Sequence, residues 1–285
     1  MATLRQLRNR VSSISNIQRV TNAMQLVAAA KMRRAQEAIL AARPYAVQLD
    51  RVLGQLSANI DMEQHPLLTE RSVEKVGFAV ITSDRGLCGG FNTNISRKGL
   101  GEIQELEDID SGVIAIGRKG RTFFNNRGQD ILTDYIDVFR DMNFGKAVAI
   151  TDDLTRRFVS GELDRVVMVY SQFLSVARQQ PVAEQLLPIV PKELDESEQA
   201  GEYLLEPSVE GLLETLVPRH VNFQVWRALL ESNAGEQAAR MTAMDNATKN
   251  CGELIEELTR ESNKARQSSI TLELMDIIGG AEAVA

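Results

Sequence analysis

The sequence predicts an α/β body plus a long antiparallel coiled coil formed by the N- and C-terminal helices. Three observations lead there. Residues 3–43 contain neither proline nor glycine and place apolar residues three and four apart, the spacing of a helix face. Beyond Pro218 there is no further proline, and similar spacing recurs. Between the two, the period changes to short apolar runs separated by helical stretches, the pattern of a mostly parallel sheet with crossover helices.

The first helix is read from Leu4, Leu7, Val11, Ile14, Ile17, Val20, Met24 and Val27. These trace a coiled-coil seam with one stammer near Ser15. The seam then turns to small residues (Ala28, Ala29, Ala30, Ala35 and Ala38), which let a partner helix approach closely. Pro44 predicts a kink, after which Val47, Leu49, Val52, Leu53 and Leu56 resume the pattern. At 1.5 Å per residue, residues 3–58 would span about 85 Å.

The last helix is read from Arg219 to Gly279, about 90 Å if straight. Its apolar positions are Leu229, Leu230, Met241, Met244, Cys251, Leu254, Leu258, Ala265, Leu272 and Met275. Asn246, Thr248, Asn250, Ser262, Ser268 and Ser269 intrude on or beside this seam, and Gly235 and Gly252 are candidate bends.

Charge favours pairing of the two ends. Residues 1–60 hold nine Arg or Lys against Glu37 and Asp50, whereas residues 208–285 hold 7 basic and 12 acidic residues and the whole chain carries −7. A basic segment in an acidic protein needs a partner: nucleic acid, an acidic protein surface, or its own acidic C-terminus. The chain therefore divides into an N-terminal helix over 1–60, a Rossmann-like α/β body over 61–207 and a C-terminal helix over 208–285.

Within the body, strands are expected at Val76–Ile81, Gly112–Gly117, Ile131–Ile136, Val166–Tyr170 and Gln185–Val190. Helices are expected near 92–107, 119–127 and 145–160. Lys192–Glu202 reads as an acidic loop.

Composition fits a globular protein, with 44% hydrophobic, 25% charged and 5% aromatic residues. There is no run of 18 apolar residues and no secretory signal. Cys88 and Cys251 form no CxxC pair and read as free thiols.

The chemistry looked for is not found. Ser83–Gly90 (SDRGLCGG) follows the first strand but is not GxGxxG, and Gly112–Lys119 (GVIAIGRK) lacks the lysine and hydroxyl positions of a phosphate loop. A tight turn needing glycine dihedrals explains the first better than nucleotide binding does. His65 and His220 have no Cys or His neighbour, so no metal and no cofactor is expected. Neither GxSxG nor HExxH occurs, and Asp152 and Asp153 read as a solvated helix face. Lys31, Arg33 and Arg34 form the sharpest basic cluster. They read as a solvated face, a nucleic-acid contact without interleaved aromatics, or a surface for acidic loops of a partner.

Ile17–Gln36 (IQRVTNAMQLVAAAKMRRAQ), Ser83–Phe91 (SDRGLCGGF) and Ile270–Ala283 (ITLELMDIIGGAEA) together resemble the gamma subunits of bacterial F-type ATP synthases. Glu236–Met244 (EQAARMTAM) and Asn263–Ser268 (NKARQS) add to the resemblance, which runs the length of the chain. It implies a non-catalytic rotor shaft at the cytoplasmic face of the bacterial inner membrane, held there through its complex. The implied partners are three alpha and three beta subunits, an epsilon subunit and the membrane ring of c subunits, with no nucleic acid. It also implies that ion-driven turning of the c ring is coupled to conformational changes at the beta sites. By the same resemblance Met24, Lys31, Arg33, Arg34, Arg240, Gln267 and Thr271 face the beta subunits. Tyr203 and Glu206 belong to the foot on the c ring and epsilon subunit. Asp84, Arg85, Gly86, Cys88, Gly89 and Gly90 form the family's loop after the first strand.

Overall fold

The computed structural model describes residues 3–57, 65–106, 109–190 and 209–282. Helix α1 spans Leu4–Ser57 and helix α5 spans Val209–Glu282. Between them lie β1 (Lys75–Ile81), α2 (Phe91–Gln104), β2 (Asp110–Ile116), α3 (Arg118–Asn125), β3 (Ile131–Tyr135), α4 (Phe144–Val159), β4 (Arg165–Phe173) and β5 (Gln179–Leu187). The chain forms two compact units. One joins α1 up to Ala28 with α5 from Arg240 onward, and the other is Ala29–Ala239.

The larger unit is built on a five-stranded sheet in the order β3-β2-β1-β4-β5. β1, β2, β3 and β4 are parallel, and β5 is antiparallel to β4. The central strands are buried on both faces, and their residues alternate between two cores. Val76, Phe78 and Val80 of β1 meet Phe91, Ile95 and Ile103 of α2 and Phe124 of α3. Ala79 and Ile81 point the other way, into a core with Ala147, Ile150, Leu154 and Phe158 of α4, Leu49 and Leu53 of α1, and Leu213, Val217, Val221 and Leu229 of α5. This explains the unbroken apolar runs of the sequence, since a strand covered on both sides has no polar face.

The fifth strand lies earlier than Gln185–Val190. It is a half-exposed edge strand from Gln179, with Pro181 inside it. An edge tolerates polar residues and a proline, so its apolar signal is weak. α5 begins at Val209, ten residues before Arg219, and runs through Pro218. Leu213, Val217 and Val221 are buried beneath this first stretch, and their packing outweighs the hydrogen bond lost at the proline. α1 likewise continues through Pro44, which lies on an exposed face. The loop at 192–202 lies outside the described residues.

The smaller unit corrects the reading of the seam. The seam of α1 in this unit runs through Leu7, Val11, Ile14, Gln18, Thr21, Gln25 and Ala28, all buried or half-buried, in alternating steps of four and three. No stammer is needed, because polar residues hold the heptad where an apolar search jumps to Ile17 and Val20. Those two are outward-facing, 53% and 58% exposed. Thr21 and Thr248 hydroxyls lie 2.8 Å apart, Gln18 Nε2 donates to the Thr248 carbonyl, and Gln25 Nε2 donates to Asp245 Oδ1 at 3.0 Å. Partner numbers rise on α5 as they fall on α1, so the helices run antiparallel. On α5 the seam is Met244, Thr248, Cys251, Ile255, Leu258, Ser262 and Ala265; Leu254 is exposed.

Gly235 and Gly252 act as points of close approach within a helix that continues through both. A Cβ at Gly252 would sit 3.3 Å from Gln18 Nε2, and one at Gly235 would sit 3.0 Å from Ser171 Oγ.

Two outcomes are expected. Thr21→Val and Thr248→Val should each destabilise the chain by about 1 kcal/mol, and the double variant should cost less than their sum, because replacing both partners leaves neither hydroxyl without the other; a denaturant-unfolding cycle measures this. Gly117→Ala should cost at least about 2 kcal/mol, since Gly117 has φ +103° and a Cβ there would lie 2.1 Å from the Thr82 carbonyl oxygen. Unfolding midpoints at wild-type denaturant concentrations would contradict either expectation.

Candidate functional site

In a doubly wound sheet, ligands bind at the carboxyl ends of the strands, where the strand order reverses. Here that point lies between β1 and β4. After Ile81 the chain turns toward β2, with Thr82 N donating to the Ile116 carbonyl at 2.7 Å. β4 continues beyond its last partner on β1, Val169, and its free edge there would present unpaired N–H groups. The chain's own α5 fills the opening. Ser171 N donates to Ser232 Oγ at 3.2 Å, and Phe173 N donates to Glu231 Oε2 at 3.4 Å. A Cβ at Gly235 would reach the Phe91 ring at 3.3 Å.

The loop Ser83–Gly90 is equally self-occupied. Asn92 Oδ1 accepts from Ser83 N and Ser83 Oγ, and Asn92 Nδ2 donates to Cys88 Sγ at 3.2 Å. Asp84 Oδ1 accepts from the backbone N–H of Arg118 and of Asp137. At the start of α3, Lys119 N donates to the Ser83 carbonyl and Gly120 N to Thr82 Oγ1. The N–H groups that would cradle a phosphate are thus satisfied by the β1 loop. Cys88 is buried, Arg85 and Gly90 are exposed, and Gly86 is half-buried. Gly89 has φ +55°, the left-handed turn its residue type suits.

The shaft residues lie along the two long helices. Met24 is half-buried on α1, and Lys31, Arg33 and Arg34 are exposed farther along it. Arg240 is half-buried on α5. Gln267 and Thr271 are exposed and joined to each other, Thr271 Oγ1 donating to the Gln267 carbonyl at 2.9 Å. Past Ala265, α5 has no buried position among its described side chains, and Ile270, Leu272, Leu274, Met275, Ile277 and Ile278 are all exposed. Ile17, Val20, Leu26 and Val27 of α1 are exposed as well. Tyr203 and Glu206 lie outside the described residues.

Two other polar groupings are structural. Asp153 is not a solvated residue: Tyr135 donates to it at 3.0 Å, and Arg157 Nε donates at 3.1 Å. Burial and this carboxylate push the Tyr135 hydroxyl up to about 12. A cavity of about 290 Å³ is lined by Asp50, Glu184, His220, Gln224 and Arg227 among others. Its lining is paired within itself, with Arg227 on Glu184 at 2.7 Å and Gln224 on Asp50 at 3.2 Å. His220 lies 3.4 Å from Asp50, in the second half of α5's first dozen residues rather than at its start. Among the described residues no cluster of three or more His, Cys, Asp or Glu is placed to hold a metal, and no helix is long and apolar enough to cross a membrane.

The residues that sequence reasoning missed are Gln18, Thr21, Gln25, Glu231 and Ser232. The first three carry a signal in hindsight, since they continue the heptad set by Leu7, Val11 and Ile14. Glu231 and Ser232 carry none, because their partners are backbone groups of a strand some sixty residues away.

A family profile described as ATP synthase matches residues 3–284. The ATP synthase gamma chain of Pelotomaculum thermopropionicum is 45% identical over 284 residues, covering 100% of each chain. That of Chlorobaculum parvum is 46% identical over 290 residues, covering 100% of this chain and 99% of the relative. Among solved structures, a chain of the Euglena gracilis mitochondrial ATP synthase (OSCP/F1/c-ring, rotational state 3) matches with TM-score 0.69 over 99% of this chain and 94% of that chain, at 20% identity. A chain of the Tetrahymena thermophila mitochondrial ATP synthase central stalk/c-ring matches with TM-score 0.64 over 80% of this chain and 99% of that chain, at 24% identity. The two structural matches share the fold, and the identity to the bacterial sequences over the full length decides the family: the chain belongs to the ATP synthase gamma chains.

Proposed function

We propose that this chain is the central rotor shaft of an F-type ATP synthase, a non-catalytic subunit that couples ion-driven rotation of a membrane c ring to successive conformational changes at catalytic beta subunits, and in reverse to ATP hydrolysis. The observation that carries this reading is the 45% identity with ATP synthase gamma chains over 100% of both chains. The geometry supports it. A rotor needs two paired helices to resist twisting, and α1 and α5 are cross-linked by hydrogen bonds along a polar seam. It also needs a free end that a collar can surround, and α5 beyond Ala265 is exposed on its described faces. The opening at the carboxyl ends of β1 and β4 is filled by α5, which suits a part that moves rather than one that reacts.

In this reading three alpha and three beta subunits form the collar. Met24, Lys31, Arg33, Arg34, Arg240, Gln267 and Thr271 face beta-subunit loops. The α/β body, with Tyr203 and Glu206 at its foot, meets the epsilon subunit and the c ring on the cytoplasmic face of the bacterial inner membrane. The division at 1–60, 61–207 and 208–285 then follows chain order, helix, body and helix, while Leu49 and Leu53 of the first helix and Leu213, Val217 and Leu229 of the last pack into the body core. A basic adaptor for nucleic acid finds no support in the relatives.

The test is an affinity purification from detergent-solubilised membranes of the host. Two large nucleotide-binding subunits and a small membrane proteolipid should accompany the chain, with ATPase activity. Recovery of the chain alone, or with nucleic acid that high salt removes, would overturn the rotor reading. A second outcome concerns Lys31, Arg33 and Arg34. Replacing all three with alanine should slow ATP turnover of the assembled complex, most at low ionic strength, where attraction to acidic loops is least screened. Wild-type turnover at every salt concentration would remove them from the contact.

A further inference from the structure

We propose that Glu231, Ser232 and Gly235 of α5 form a keyed seat in the body, the place where turning of the sheet is passed into the helix. The inference rests on the rotor reading and names the joint that such a rotor needs. Between Ala228 and Ala238 the helix is enclosed on nearly every side, with Ala228, Leu229, Ser232, Ala234 and Ala238 all at 0% exposure. Ala228, Ser232, Ala234, Gly235 and Ala238 are small, so neighbouring elements come close on their faces.

Enclosure by apolar groups alone does not fix a helix against rotation about its own axis. Hydrophobic contact is non-directional, and Ala228, Ala234 and Ala238 offer little ridge to catch. Hydrogen bonds are directional and weaken steeply as they misalign. The seat supplies two, from adjacent residues of the helix to N–H groups two residues apart on one strand edge. Adjacent helix positions point about 100° apart, so the pair defines an angle as well as a distance. Gly235, one turn farther on, lets the helix lie against Ser171 and Phe91, where a Cβ would meet atoms at 3.0 and 3.3 Å. The strand edge they grip is the one left open where β1 turns away, so a crevice suited to a ligand is used to hold a helix. Burial disfavours the charged form of Glu231 and raises its pKa, against the nearby Arg227 guanidinium and the Phe173 N–H, which lower it.

The experiment attaches a bead to the α/β body in a complex of this chain with its alpha and beta subunits, the latter immobilised, and records angular fluctuation of the bead at a stalled position. Glu231→Ala combined with Ser232→Ala should broaden the fluctuation, a loss of torsional stiffness. Glu231→Gln, which keeps the acceptor oxygen, and Ser232→Thr, which keeps the hydroxyl, should return it toward the wild-type width. An unchanged width in the alanine variant overturns the keyed seat, as does equal broadening in the conservative variants, which would mark the site as packing alone. A wild-type bead that ATP does not drive round overturns the rotor reading instead.

Discussion

A helix of 74 residues depends on whatever covers it. Isolated helices are marginal in water, and most of their stability in proteins comes from burying one face. The covering of α5 changes along its length. In the larger unit it is buried under the sheet and α1, through Leu213, Val217, Val221 and Leu229. It then passes the open edge of β4, where side chains bond to backbone. In the smaller unit one seam faces α1, and past Ala265 none of the described side chains is buried. Each change of environment matches a change of residue type: large apolar residues first, then alanine, serine and glycine, then a heptad of mixed polarity, then an apolar residue set that faces outward.

Much of the fold was legible in the sequence. The buried parallel strands announce themselves as VGFAVI and GVIAI because both faces are covered, so no polar residue interrupts them. β5 gives a weaker and later signal, because an edge strand mixes polar residues with apolar ones. The helix start at Val209 was hidden by Pro218, whose local penalty is overridden by packing that only the tertiary structure supplies. The seam of α1 is masked in the sequence for a related reason. Apolar residues at Ile17, Val20 and Val27 look like core, and Gln18, Thr21 and Gln25 look like surface; the chain reverses both. Periodicity alone, taken without regard to residue type, would have kept the heptad in register.

The site was legible in kind more than in mechanism. Family motifs drew attention to SDRGLCGG, but only the structure shows why the loop is built that way. Asp84 bonds to the backbone of Arg118 and Asp137, so one carboxylate ties the carboxyl ends of three strands together. Ser83 and Thr82 satisfy the first amides of α3. What resembles a ligand loop in sequence is an internal brace. The absence of catalytic spacing was a sound guide, whereas the chemistry that does occur, hydrogen bonds between distant backbone and side chain, leaves no local pattern to read.

The bare end of α5 has a thermodynamic consequence. None of the described side chains beyond Ala265 is buried, so helical order there rests largely on propensity and is weakly held. Enclosure by other subunits would supply the burial that Ile270, Leu272, Leu274 and Ile277 lack, and part of that binding energy would be consumed in ordering the backbone. The tip is then a segment whose folding is completed by its neighbours, and the unassembled chain carries an exposed apolar end of the kind that marks a protein as incomplete.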